Sequence, residues 1–402
     1  MTLHSTNEVR AVNRTAVLTQ IAKSQMLSRR ALADRTGLTT AAISRISREL
    51  IDAGILTESD EPDVASGPGR RTRALQLSAA SPLLIVMVIT ANKKAVAIAN
   101  CRGETIIVKD VPDLDLTDAN RSIDTLCDIA TRLLKKTDLQ DATLLGVSVV
   151  VAINTNPGSN ETLTSPILKW SNVPLKPLIE SRLNLPVHLE ARAVALLESE
   201  LWYSPVDNGR SVVLINNGWR LGSSAHVNNA LIESEQARLC QLAHLALPSQ
   251  PLQCYCGQTG CLDAIASGAA IVEKLEHLGL TQFASSQSLD HRMSLAIEQA
   301  QEDKTVAAVF KEAGEFLGEG LRSVLSLYAP ERILLAGAIG RQQDYHNGVK
   351  AALEPALPYH SACMLSVCST TSLEAAVITG LNAFLFTDSL NLNQLLQQQK
   401  SA

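Results

Sequence analysis

Ser28-Arg-Arg-Ala-Leu-Ala-Asp-Arg-Thr-Gly-Leu-Thr-Thr-Ala-Ala-Ile-Ser-Arg-Ile-Ser-Arg48 carries two short helical patterns parted by a glycine. Ser28 is suited to cap a helix over residues 29–36, with Leu32 turned inward, because a serine oxygen can accept a free amide of the first turn. Gly37 supplies the positive φ that ends such a helix sharply. Thr39 can then cap a third helix running to about residue 53, closed by Gly54, with Ile43, Ile46, Leu50 and Ile51 on its buried face. Its other face shows Thr39, Thr40, Ala41, Ser44, Arg45 and Arg48, which are small, hydroxyl or guanidinium groups. A helix over residues 9–24 precedes the pair, with apolar positions at Val9, Val12, Ala16, Val17, Leu18 and Ile21. Helix, short turn, helix is the arrangement that lays a recognition helix in the major groove of DNA. Small residues at its start allow close approach, and Arg45 is suited either to a guanine edge or to a phosphate. Beyond it, strands over residues 55–58 and 73–77 flank a loop ending Gly67-Pro-Gly-Arg-Arg71. This reads as a wing whose Arg70 and Arg71 can reach a minor groove.

Net charge first argues against a nucleic-acid partner, since it is −5 over 402 residues. The charge is unevenly spread. Residues 1–80 hold eleven basic and eight acidic side chains, a balance of +3 that leaves −8 for the remainder. A basic head on an acidic body divides the labour between reading and something else. Length predicts two or three domains, and 46% apolar with 19% charged residues is the composition of a globular chain with real cores. Aromatics at 3% speak against stacking platforms for single strands. The longest apolar run, Leu83–Ile89, is far short of a membrane span, and the polar N-terminus lacks the core of a signal peptide, so a cytoplasmic protein is expected.

From residue 82 the pattern alternates apolar strands with helical stretches, the mark of an α/β body. Strands are expected over 83–90, 95–100 and 105–108 (antiparallel), 144–153, 187–190, 211–216 and 332–335. Helices are expected over 119–136, 175–183, 191–202 and 305–326, with a polar tail or fraying helix from 390. Within this body, Cys254-Tyr-Cys-Gly-Gln-Thr-Gly-Cys261, with His244 upstream, offers three thiols and one imidazole for a tetrahedral site. Such a closed shell indicates one structural zinc ion per chain, with Gly257 and Gly260 letting the backbone wrap tightly. Cys101, Cys127, Cys240, Cys363 and Cys368 show no such grouping and read as reduced thiols.

On these residues the chain resembles the ROK family of repressors and sugar kinases, most closely its transcriptional regulators of the Mlc/NagC/XylR type. Residues 28–38 with Ala42-Ile-Ser-Arg-Ile46 are similar to that group's DNA-binding head, and Gly69-Arg70-Arg71 stands at its wing. Cys254-x-Cys256-Gly-x-x-Gly-Cys261 resembles the family zinc motif, with Asp263 where glutamate is usual. Pro330-Glu-Arg-Ile-Leu-Leu-Ala-Gly-Ala-Ile-Gly340 is similar to the strand and glycine turn beside the nucleotide in the kinases. The resemblance implies a winged helix-turn-helix followed by a two-lobed, actin- or hexokinase-like α/β body. The expected division is 1–80 for the head, 81–195 for the first lobe with 382–402 as its candidate completion, and 196–381 for the second lobe with the zinc site and dimerisation surface. It also implies a homodimer or tetramer on an inverted-repeat operator in double-stranded DNA, with a sugar or sugar-phosphate effector.

The departures from the kinase pattern are equally informative. Where the kinases carry Asp-x-Gly-Gly-Thr to cradle phosphates, this chain has Val88-Ile-Thr-Ala-Asn92. The second, glycine-rich loop reads Gly218-Trp-Arg-Leu-Gly-Ser-Ser224, with Trp219 and Arg220 in the space a phosphate needs. Counting from Leu185-Pro186-Val187 places Ala191 and Arg192 where the family has Asn and its catalytic Asp. Arginine cannot take a hydroxyl proton at neutral pH, so a non-enzyme is expected. The family's Glu-x-Gly-His sugar contact becomes Gln241-Leu-Ala-His244. Asn156, Glu190, Gln241 and His244, with Asn154 and Asn217 near strand ends, are the candidate effector contacts. The competing expectations are an active sugar kinase with an accessory head, and an adaptor whose head binds protein.

Overall fold

A computed structural model describes residues 6–62, 73–136, 139, 141–153, 163–165, 167–204, 210–232, 241–284, 287–356 and 363–401. Arg70, Arg71, Asn154, Asn156 and Cys240 lie outside these, so the expectations that fall on them have no structural counterpart here.

The head forms as its sequence dictates. Ser28 Oγ accepts from Ala31 N (3.2 Å) and caps Arg29–Thr36; Gly37 ends that helix at φ 70°. Thr39 Oγ1 accepts from Ala42 N (3.2 Å) and caps Thr40–Asp52, after which Gly54 turns at φ 72°. Val17, Leu18, Ile21, Leu32, Ile43, Ile46 and Leu50 form the buried centre. Two positions differ from expectation. Val9 and Val12 are about half exposed, at 48% and 53%, because helix Thr6–Ser24 overshoots this small core by its first turns. Ile51 is only half-buried, and Ser47 takes the inward position instead. The wing strands Leu56–Pro62 and Arg73–Leu77 pair antiparallel, and a short strand unseen in the sequence, Met26–Ser28, joins the other side of Arg73–Leu77. Glu58 clasps Arg29 (2.7 Å) and Arg73 (3.1 Å), fastening the second helix to the wing.

Two five-stranded sheets carry the body. In the first, Leu83–Ile89 lies centrally, with Lys94–Asn100 and then Thr105–Asp110 antiparallel on one side. Leu144–Val151 and then Val187–Ala191 run parallel on its other side. The second sheet repeats the plan: Val212–Asn217 is central, Leu221–Val227 and Ala230–Leu231 return antiparallel, and Arg332–Ala336 and Met364–Val367 run parallel. The body is thus a structural duplication, although no repeat shows in the sequence. A pleated sheet buried on both faces asks only for β-branched and small apolar residues, a requirement too permissive to preserve sequence likeness.

The chain does not stay with the second sheet to its end. Helix Ser372–Phe384 returns to the first sheet, where Ser148 Oγ donates to Ala376 O (2.6 Å). Gly380 makes the fit possible, because a Cβ there would lie 2.5 Å from that of Ser148. In the second lobe, helices Lys304–Tyr328 and Gln343–Leu353 approach almost backbone to backbone: a Cβ on Gly314 would meet Tyr345 O at 2.1 Å. The tail is ordered as helix Leu392–Ser401. It joins head to body: Gln399 Nε2 donates to Ala53 O (3.0 Å), Leu144 N donates to Gln398 Oε1 (3.1 Å), and Leu395 is buried in the core shared by head and first lobe. Arg14 adds a bond to Leu390 O (2.7 Å).

Candidate functional site

The first site is the outer face of helix Thr40–Asp52. Thr39, Thr40, Ser44, Arg45 and Arg48 are all exposed, on the side opposite Ile43, Ile46 and Leu50. Among the described residues Arg45 and Arg48 take part in no ion pair, so both guanidiniums are available to an outside anion. A cavity of about 880 Å3 runs from Ser44 and Arg48 along the base of the wing to Glu58.

The second is a metal-ligating cluster. His244, Cys254, Cys256 and Cys261 bring their ligand atoms within 4.8 Å of one another. Cys256 Sγ and Cys261 Sγ lie 3.7 Å apart, and Cys254 Sγ and His244 Nδ1 lie 3.8 Å apart. Tetrahedral zinc, with bonds of about 2.3 Å to sulfur and about 2.05 Å to nitrogen, requires separations of about 3.8 and 3.6 Å. The donor set fits the ion. Local backbone explains how eight residues achieve this: Gly257 and Gly260 take φ 89° and 76°, and a Cβ on Gly260 would meet Leu247 O at 2.8 Å. His244 presents Nδ1 to the cluster while Nε2 lies 3.4 Å from Tyr255 Oη, an outer contact that orients the ring.

Behind the cluster, Asp263 is wholly buried. Its Oδ2 accepts from Arg220 Nη1 (2.8 Å) and its Oδ1 from Leu221 N (2.8 Å). Burial raises this carboxyl, opposed by the Leu221 amide and the Arg220 charge. Arg220 also stacks on Tyr255, 4.7 Å from the ring centre. Asp263 and Arg220 thereby tie the metal loop to the loop that opens strand Leu221–Val227. The sequence marked Asp263 only as an unusual residue in a motif; the partner it holds is 43 positions away.

The third is the cleft between the lobes. Thr90, Asn92, Ile153, Arg192, Asn216 and Trp219 help to line it, and the space they leave is about 50 Å3. Residues 217–219 are stitched down: Gly268 N donates to Gly218 O (3.0 Å), Ala269 N to Trp219 O (2.9 Å), and Asn217 Nδ2 to Ala266 O (2.9 Å). The amides that open helix Gly268–His277 are therefore taken by protein carbonyls. Arg192 begins helix Arg192–Tyr203 and donates through Nη1 to Asn92 Oδ1 (3.0 Å). A second cavity of about 260 Å3, lined by Ile167, Lys169, Trp219, Arg220, Tyr255 and Leu289, adjoins this cleft through shared walls.

Among the described residues the expected effector contacts do not converge here. Glu190 is buried at the end of its strand, where its carboxylate accepts from Ala191 N (2.8 Å). Gln241 is exposed at the start of a single 3-10 turn, and His244 is engaged at both nitrogens. None of the three lines the cleft. Asn217 is buried beneath its floor rather than offered to a ligand. Thr90, Asn92, Arg192 and Trp219, which do line it, were visible in the sequence only as departures from the kinase pattern.

The described architecture is a helix-turn-helix head on a duplicated two-lobed α/β body with a Cys3His cluster. The chain belongs to the ROK family, whose model matches residues 89–385. It is 25% identical to the xylose repressor of Caldicellulosiruptor bescii over 334 residues, covering 81% of this chain and 83% of that one. It is 23% identical to the DNA-binding transcriptional dual regulator NagC of Escherichia coli over 335 residues, covering 82% and 81%. Among solved structures it resembles a ROK family transcriptional regulator homologous to the Escherichia coli Mlc protein, with TM-score 0.75, 21% identity and coverage of 97% and 100%. A glucokinase from Streptomyces griseus, solved with glucose and AMPPNP, matches with TM-score 0.61 and 21% identity. It is covered to 99% while spanning only 74% of this chain. The kinase scaffold thus accounts for part of the chain and the repressor-like architecture for nearly all of it. No described helix is long and apolar enough to cross a membrane.

Proposed function

We propose that this chain is a DNA-binding repressor of carbohydrate-related genes, with a catalytically inactive sugar-kinase-like body, acting in the cytoplasm. The observation that carries the reading is the exposed Thr39–Thr40–Ser44–Arg45–Arg48 face on a capped, well-buried helix of the helix-turn-helix. The body's inactivity is supported by the cleft. Trp219 and Arg220 occupy its wall where a glycine-rich phosphate loop would lie, and an arginine stands at the base position. One structural zinc per chain, held by His244, Cys254, Cys256 and Cys261, braces the second lobe and, through Asp263 and Arg220, the floor of the cleft. A homodimer would set two recognition helices on successive major-groove turns of an inverted repeat, with Arg70 and Arg71 of each wing at the flanking minor groove. Effector binding to the body would shift the population of DNA-competent dimers.

The test is selection of bound fragments from genomic DNA by the intact protein, followed by gel-shift titration. Enrichment of a palindromic site is expected, with Arg45→Ala weakening it by about 1–3 kcal/mol if the guanidinium reads a base. No enrichment at moderate salt would favour a protein-binding head, and turnover in an ATP-coupled assay with hexoses would overturn the inactive body.

A further inference from the structure

Arg192 is a cation with too few partners. Its Nη1 bond to Asn92 Oδ1 is the only hydrogen bond of the guanidinium among the described residues, and it takes part in no ion pair there. Nε is sealed from solvent and has no acceptor. Burial, reinforced by the charge of Arg341, lowers the guanidinium to about 10, well below its ordinary value. A half-buried guanidinium with so few partners among the described residues is suited to an anionic ligand.

The surroundings say what the ligand carries. Arg341 adds positive charge beyond Arg192 while donating to the carbonyls of Cys368 (3.0 Å) and Thr370 (2.8 Å). Arg220 is already paired with the Asp263 carboxylate and the amides opening helix Gly268–His277 are occupied, which leaves less to hold a second anionic oxygen group. Asp290 is the one carboxylate acting on Arg192 through space, and it opposes a dianion more than a monoanion. A single planar monoanion suits the Nη end of the guanidinium, since carboxylates can pair with arginine through two parallel bonds. The cleft space of about 50 Å3 admits a group of that size. The adjoining cavity of about 260 Å3 offers the faces of Trp219 and Tyr255 with Lys169 and Arg220 at its rim, surfaces suited to a polyhydroxylated ring.

We propose that the cleft binds a carboxylate-bearing sugar, a uronic or aldonic acid, with its carboxylate on Arg192 and its polyol body against Trp219 and Tyr255. This names the effector class for the repressor reading and rests on that reading only for its regulatory meaning.

Titration calorimetry of the full chain with D-glucuronate, D-galacturonate and D-gluconate tests it, against D-glucose, D-galactose and glucose 6-phosphate. At least one acid is expected to bind roughly tenfold or more tightly than its neutral parent. Arg192→Gln should abolish that preference, and Arg192→Lys should keep part of it. Without ligand, Arg192→Gln is expected to unfold at about the temperature of the wild type, because the half-buried guanidinium makes a single hydrogen bond among the described residues. This also shows that the variant is folded. Equal binding of neutral sugars, preference for the phosphate ester, no binding by any acid at millimolar concentration, or unchanged acid affinity in Arg192→Gln would each overturn the proposal. Fragment selection does not use Arg192, so failure of the DNA-binding reading would be seen separately.

Discussion

Cys256→Ser separates a structural metal from a mere cluster of thiols. Cys256 is exposed, whereas Cys254 and Cys261 are buried, so replacing only its sulfur disturbs no packing. If the four side chains held nothing, the exchange would lie within the ~0.5 kcal/mol of an ordinary surface substitution. If they hold zinc, it removes one of four bonds from a site of the kind that contributes about 10–16 kcal/mol in small zinc domains, so a loss on the order of 3 kcal/mol follows. For a lobe of this size that corresponds to a fall of about 6–12 °C in the transition midpoint. The assay is calorimetry of wild type and variant, each with metal content measured on protein prepared without chelator. Cys363→Ser serves as the control, because that half-buried thiol stands apart from the cluster. One equivalent of zinc in the wild type, clearly less in the variant, and a large fall confined to Cys256→Ser are expected. A midpoint within about 2 °C of wild type, or zinc below a third of an equivalent in the wild type, would refute the reasoning.

Two further outcomes follow from the head. Leu395→Ala should loosen the tail helix that bridges Ala53 and Leu144 by about 2–5 kcal/mol, seen as faster amide exchange around Val17–Ile21; unchanged exchange would show that the head is held otherwise. Arg29, and then Arg73, hold the Glu58 carboxyl below its ordinary value of 4.5 by hydrogen bonding. Its contribution is therefore complete above the unfolded-state value and lost as pH falls through the lower, folded one. Glu58→Gln should cost at most about 1 kcal/mol at pH 7, since the pair is solvent-screened, and the difference should narrow as pH is lowered below 4.5. A difference that persists undiminished at pH 3 would dissociate it from the ionised carboxylate.

Much of the head and the metal loop could be read from the chain alone because their determining contacts are local. Ser28 and Thr39 cap through residues three positions on, and Gly37 and Gly54 act through their own φ. Cys254, Cys256 and Cys261 fall within one turn-rich stretch, so spacing already constrains their geometry. The kinase-like body was legible from motif likeness, and its losses from the residues that replace the motifs. Its duplication was not, since burial in a sheet leaves sequence nearly free.

What tertiary structure decided is what joins distant segments. Arg192 and Asn92 are 100 positions apart, Asp263 and Arg220 are 43 apart, and Gln399 reaches Ala53 across 346. No periodicity or composition encodes such pairs, because each residue type is compatible with solvent until the fold brings its partner. The sequence by itself determined a helix-turn-helix head, a loop with three closely spaced thiols and the departures from the kinase motifs. Only the folded chain showed that Arg192 lines a narrow cleft with a single hydrogen bond among the described residues, because desolvation is a property of surroundings and not of the residue.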